Sequence, residues 1–179
     1  MKTTGILFAI FLVLFTSCKT AQLTPEQAIA REAEQKAQYE AAVQALNDRE
    51  FVLEADRIDF KRGRVAYVSA TTNFISVHGN RATIQLAFNS SYAGPNGIGG
   101  ITVDGSISNF KMDTDRKGNT SISMMVQGAA VSAIVKFQLQ KGSNRCSATV
   151  SPNFNSNRIS FSGYLYPESE SNVFKGRSI

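Results

Sequence analysis

The chain has no tryptophan, a single histidine and only two cysteines. These shortages exclude several chemistries before any pattern is considered. A zinc site needs several His, Cys or carboxylate ligands at matched spacing. His78 and one spare cysteine cannot supply a His-rich or Cys-rich set, so no metal is expected. A Ser-His-Asp triad would have to use His78 as its base, and no serine sits in a Gly-x-Ser-x-Gly turn. Asp56 and Asp59 are spaced like a carboxylate pair for glycoside hydrolysis, but no tryptophan platform for sugar stacking accompanies them. They read as solvated strand-end groups. A strong charge imbalance is also missing: 19 Lys and Arg stand against 14 Asp and Glu, spread along the chain. An excess this small does not make a nucleic-acid surface.

Long apolar runs are missing too, with one exception. Ile6–Phe15 (ILFAIFLVLF) is unbroken, yet shorter than the about 20 residues that span a bilayer. Lys2 precedes it and Thr16-Ser17-Cys18 follows at once. A positive start, a short apolar run and small residues before a cysteine are the marks of a lipoprotein signal. Residues 1–17 are therefore expected to be removed and Cys18 to carry lipid, including an amide-linked chain such as palmitate. Several acyl chains at ~0.8 kcal/mol per buried methylene give stable anchoring. Cys146 is then the lone thiol, so no intrachain disulfide is expected and packing must hold the fold.

Residues 18–24 read as a tether. Thr24 is a good N-cap, Pro25 suits the first helical position, and Gln27 completes a capping box. A helix over 25–49 follows, rich in Ala, Glu, Gln, Lys and Arg. Its apolar face is thin (Ile29, Ala33, Ala37, Ala41, Val43, Leu46), which favours partial docking through its C-terminal half.

From Phe51 the period becomes two. Phe51, Leu53 and Ala55 alternate with polar partners, as do Ala82, Ile84, Leu86 and Phe88. Ile122, Met124 and Val126 repeat the pattern. Val131, Ala133, Val135, Phe137 and Leu139 form the longest dry face, followed by Cys146, Ala148 and Val150, then Ile159, Phe161 and Leu165. Alternation puts one face of each strand in a core and the other in water. Gly- or Asn-bearing turns separate the runs, among them His78-Gly79-Asn80 and Lys141-Gly142-Ser143-Asn144. Eight strands are expected, near 51–60, 64–70, 73–78, 81–89, 100–112, 119–127, 131–141 and 145–151, with a ninth near 157–166. The first two form a candidate hairpin. The chain is thus read as mostly β: an antiparallel sandwich or partly closed barrel over 50–167, preceded by one N-terminal α-helix. The polar tail 168–179 is expected to fray.

The stretch Tyr92–Gly100 is the candidate ligand loop, through Tyr92, Gly94, Pro95, Asn96, Gly97, Gly99 and Gly100. Glycines let backbone amides approach a ligand closely. A strand follows here, not a helix, and no Lys-Ser or Lys-Thr is present, so a phosphate loop of the nucleotide-binding kind is excluded. The competing reading is a loop whose glycines allow sharp turns and a bulge. Asp113-Thr-Asp115-Arg-Lys117-Gly118 opens like a calcium loop, but Lys117 and Met124 fall where ligands belong, so it reads as a hairpin turn. Cys146 falls on a dry face and reads as a small buried hydrophobe. Lys61-Arg62-Gly63-Arg64 forms a basic turn suited to anionic head groups or to guarding a strand edge.

The lipoprotein signal, the Ala- and Glu-rich helix, Phe51-Val52-Leu53-Glu54-Ala55-Asp56, Asn73-Phe74-Ile75, the segment Gly94–Gly105 and Ile159-Ser160-Phe161-Ser162-Gly163 occur together. In this the chain resembles the uncharacterised lipoproteins of Gram-negative gut anaerobes grouped as domain of unknown function 4251. The resemblance implies a lineage and an address, but no activity, cofactor or catalytic residue. The first acid after Cys18 is Glu26. Surface-exported lipoproteins of such bacteria often carry acids sooner, so the periplasmic face of the outer membrane is expected, with the cell surface as the alternative. The leading functional expectation is a non-enzymatic binding or structural domain with an unknown envelope protein as partner. A carrier or sensor of a small apolar ligand or lipid comes second, and a hydrolase assembled from distant loops third.

Overall fold

The computed structural model describes residues 24–88, 94–129, 131–153 and 157–179. The signal segment, Cys18 and Tyr92 lie outside them. Helix α1 (Pro25–Asp48) begins on the expected capping box. The Thr24 N–H donates to Gln27 Oε1 at 3.1 Å, and the Gln27 N–H returns to Thr24 Oγ1 at 3.3 Å. The helix is shared between two compact units divided after Ala33. In the first, Ile29 is 68% exposed. In the second, Ala42, Ala45 and Leu46 are buried in the core, so docking involves the C-terminal half of the helix, as its thin stripe implied. No helix among the described residues is long and apolar enough to cross a membrane.

Nine strands follow: β1 (Glu50–Phe60), β2 (Val65–Tyr67), β3 (Phe74–His78), β4 (Arg81–Ala87), β5 (Gly100–Thr114), β6 (Thr120–Gly128), β7 (Ser132–Leu139), β8 (Arg145–Pro152) and β9 (Ile159–Pro167). Each expected strand is present. β1 and β2 pair as a hairpin, with Ile58 opposite Ala66. From β3 to β9 every strand pairs antiparallel with the next. β1 then pairs along one edge with β3 and along the other with β9, from Phe51 opposite Pro167 to Phe60 opposite Ile159. The sheet therefore closes into an eight-stranded barrel, and β2 is an extra strand on the rim. Of the two expected architectures the barrel forms, and it closes fully.

Closure needs strong local coiling, and bulges with glycines supply it. β1 shifts register between Ala55 and Arg57, and β5 between Ser108 and Lys111, where Asn109 takes φ 55°. Gly163 sits beside the first shift. A Cβ there would lie 1.9 Å from the Glu54 carbonyl oxygen, so β9 crosses β1 where only glycine fits.

An eight-stranded barrel is just wide enough for side chains to fill. Here Phe51, Leu53, Ile58, Met124, Val135 and Phe161 are at most 1% exposed. Phe51 meets Phe137 edge to face, with centroids 5.3 Å apart. Each such burial contributes about 1.5–3 kcal/mol relative to exposure. Leu46 and Ala42 of α1 join this core. The Tyr39 hydroxyl donates to the Gly118 carbonyl in the β5–β6 turn at 3.4 Å.

The tail departs from expectation. Residues 168–179 do not fray; they run as a strap over the outer face of β3, β4 and β5. The Phe174 N–H donates to the Thr71 carbonyl at 2.8 Å, and the Ile179 N–H to the Thr102 carbonyl at 3.1 Å. Polarity alone suggested a solvated end, but the strap is held by polar partners instead of an apolar stripe.

Candidate functional site

The outward side chains of β4 and β5 alternate as Thr83, Gln85 opposite Thr102, Asp104. Alternation marks these as a wet face, yet Gln85 and Thr102 are fully buried, because the strap covers them. The Gln85 amide nitrogen donates to the carbonyls of Phe174 (2.7 Å) and Thr72 (3.0 Å). Its oxygen accepts from the Gly176 N–H (2.7 Å) and the Thr102 hydroxyl (2.8 Å). All four hydrogen-bonding positions of one amide are filled.

The glycine-rich loop feeds the same network. Asn96 is 2% exposed. Its side-chain oxygen accepts from the N–H groups of Ile98 and Gly100, and its nitrogen donates to the Leu86 carbonyl and the Thr102 hydroxyl. Its backbone carbonyl accepts the Arg177 N–H at 3.0 Å. Gly94, Gly97 and Gly99 take positive φ (64°, 79° and 86°), while Gly100 lies so close to β4 that a Cβ would meet the Leu86 oxygen at 1.9 Å. Pro95 is exposed on the loop. The loop thus turns its amides inward onto Asn96 and delivers Asn96 beneath the strap.

Two charged clasps flank this network. Asp104 accepts from Lys175 (2.7 Å), Ser178 (2.6 Å) and Thr83 (2.6 Å). Partial burial pushes its carboxyl up, but these three donors together outweigh that and hold it below its ordinary 3.8. At the other end, His78 Nδ1 and Glu168 Oε2 lie 2.6 Å apart. The hydrogen bond to Glu168, the charge of Glu168 and that of Glu50 raise the imidazole above its ordinary 6.5. A raised histidine value means the clasp contributes fully below pH 6.5 and is lost as pH climbs through the raised value. NMR titration is expected to place His78 above 6.5 in the intact chain and to lower it in Glu168→Gln. An unchanged value in the variant would remove Glu168 as the cause.

The remaining candidates separate. Asp59 is paired with Arg57 at 3.0 Å. Tyr67, on β2, stands 85% exposed beside Asp56 in a broad open groove of about 990 Å³. Asp115 accepts from the N–H groups of Lys117 and Asn119 and from the Asn119 amide, as a hairpin turn requires. Cys146 is buried, and burial pushes its thiol up to about 12, which suppresses the reactive thiolate. Among the described residues, no three His, Cys, Asp or Glu side chains gather closely enough to share a metal ion.

At the end of the β1–β9 seam, Phe60 and Ile159 are register partners, both half-buried. Lys61, Arg62, Arg64 and Arg158 stand around them, lining an open cavity of about 640 Å³. The Arg64 guanidinium lies 5.6 Å from the Phe60 ring centroid. Arg62 occupies the left-handed region at φ 70°. No carboxylate appears among the described lining side chains.

A model of a domain of unknown function, DUF4251, matches residues 33–165. The crystal structure of a DUF4251 family protein from Bacteroides eggerthii DSM 20697 is similar, with 47% sequence identity and a TM-score of 0.69. The match covers 83% of this chain and 99% of that one. No curated protein matches. The family match runs from α1 through most of β9 and so takes in every strand of the closed barrel; the chain belongs to the DUF4251 family.

Proposed function

We propose that the protein is a lipid-anchored envelope domain, attached through Cys18 and facing the periplasm from the outer membrane, that binds through the outside of a filled barrel. Its role is recognition or scaffolding, without chemistry of its own. The observation that carries this reading is the packed interior. A carrier of apolar ligands needs unoccupied volume among its inward side chains. Here Phe51, Phe137, Phe161 and Met124 occupy the barrel with at most 3% exposure, and Leu46 closes over them. Two open concavities on the described surface, of about 990 and 640 Å³, are mostly edged by polar or charged groups.

Mass spectrometry on protein extracted from membranes tests both parts. Under denaturing conditions the mass is expected to begin at Cys18 and include its acyl chains. Under native conditions no further adduct is expected inside the barrel. A chain without lipid would overturn the anchor. An apolar molecule retained natively and released on denaturation would replace this reading with that of a carrier.

A further inference from the structure

The basic corner at the end of the β1–β9 seam combines features that edge protection does not explain. Charged turns commonly guard a strand edge, and that accounts for Lys61, Arg62 and Arg64, which belong to the β1–β2 turn. It does not account for Arg158. That residue enters from the segment before β9, yet it lines the same cavity. The three guanidinium groups of Arg62, Arg64 and Arg158, brought together by two separate connections, repel one another, and the described lining side chains include no carboxylate. The nearest acid on β1, Asp59, is engaged by Arg57 on the outer face.

The cations also surround an apolar floor. Phe60 and Ile159 lie side by side across the seam, and the Phe88 ring sits 5.8 Å from that of Phe60. Arg64 lies over the Phe60 ring and lines the same cavity. Guanidinium groups match the geometry of phosphate oxygens with paired hydrogen bonds. Cations around half-buried apolar side chains suit a group that is anionic at one end and greasy at the other.

We propose that this corner is an anion site for a phosphate ester, with Arg62, Arg64 and Arg158 holding the phosphate and Phe60 and Ile159 receiving the first carbons attached to it. The proposal rests on the reading that the barrel binds on its outside. The phosphate can come from a lipid head group or from a small soluble phosphate ester.

The test uses the chain from Lys19 onward, without lipid. The crystallised relative is matched over 99% of its own length by 83% of this chain, so a fold of this kind forms from a shorter chain. Calorimetric titration compares monomeric dihexanoyl phosphatidylglycerol, dihexanoyl phosphatidylcholine and glycerol phosphate. The phosphatidylglycerol is expected to bind saturably, with the zwitterionic lipid about tenfold weaker or worse. Arg62→Gly with Arg158→Gln is expected to weaken binding about thirtyfold, at about fivefold per cation. Glycine suits the left-handed backbone at position 62, so this variant removes charge without adding strain. Arg62→Lys with Arg158→Lys keeps the charge and is expected to keep most of the binding.

Equal affinity for glycerol phosphate and the lipid would support the site and identify a soluble phosphate as its ligand. Tighter binding of the lipid would support it and identify an amphiphile. No saturable binding of either anion would overturn the proposal, as would a neutralised variant that binds like the original. Should that variant not fold, salt decides: binding must weaken steeply as ionic strength rises, and salt-independent binding overturns the site. None of these failures touches the packed interior, which the native mass measurement tests separately.

Discussion

Gly163→Ala is expected to destabilise the protein by at least about 3 kcal/mol, although it adds one methyl group. The reason is what that methyl would meet. Inserting a methylene among core side chains costs about 1–3 kcal/mol, because rotamers and nearby atoms shift to make room. At position 163 the obstacle is main chain: the Glu54 carbonyl oxygen at 1.9 Å and the Ala55 Cα at 2.9 Å. Neither can swing aside without moving β1, and β1 is hydrogen-bonded to strands on both edges. The expected result is a large drop in the urea midpoint with an unchanged slope. A change within about 0.5 kcal/mol, the range of ordinary surface substitutions, would mean that β1 yields easily at its bulge and that the close crossing does not set the closure.

Gln85→Leu is expected to cost about 3–5 kcal/mol and to release the strap. Leucine has nearly the same volume, so packing is not the main loss. Four partners lose their bonds at once: the carbonyls of Thr72 and Phe174, the N–H of Gly176 and the hydroxyl of Thr102. Each is left facing a methyl group unless the strap lifts and water enters. Release is therefore the cheaper response, and it is local. Amides of 174–179 should exchange rapidly while those of β6 and β7 stay protected. Trypsin should cut after Lys175 and Arg177 in the folded protein. A strap that remains protected in this variant would mean that Asp104, through Lys175 and Ser178, holds it unaided.

The inward faces of the strands were readable because alternation is a local signal. Phe51, Leu53, Val135 and Phe137 each declare their side through their neighbours. Helix capping was readable for the same reason, since Thr24 and Gln27 are three residues apart. Closure was not. It depends on pairing 51–60 with 159–167, and nothing near either strand says which distant edge it will meet. Gln85 misled for a related reason. Its neighbours mark an outward position, and it is buried only because a segment 89 to 91 residues away lies over it. Asn96 stood among the loop candidates, but its inward role did not show, because the glycines around it suggest a loop open to a ligand as readily as one folded on its own amide. Arg158 belongs with Arg62 and Arg64 only once the seam is formed.

The pairing of β1 with β9 also fixes an order of events. A ribosome releases β1 first and β9 last, and the seam cannot form until nearly the whole chain has emerged. Until then β1 and β8 each offer an unsatisfied edge to any extended chain nearby. Contacts this distant in sequence slow the search for the native pairing. The interval between the first strand and the last is thus the period in which the chain is most exposed to aggregation. A nascent or truncated chain ending before Ile159 remains in that condition, because no other described strand can complete the ring.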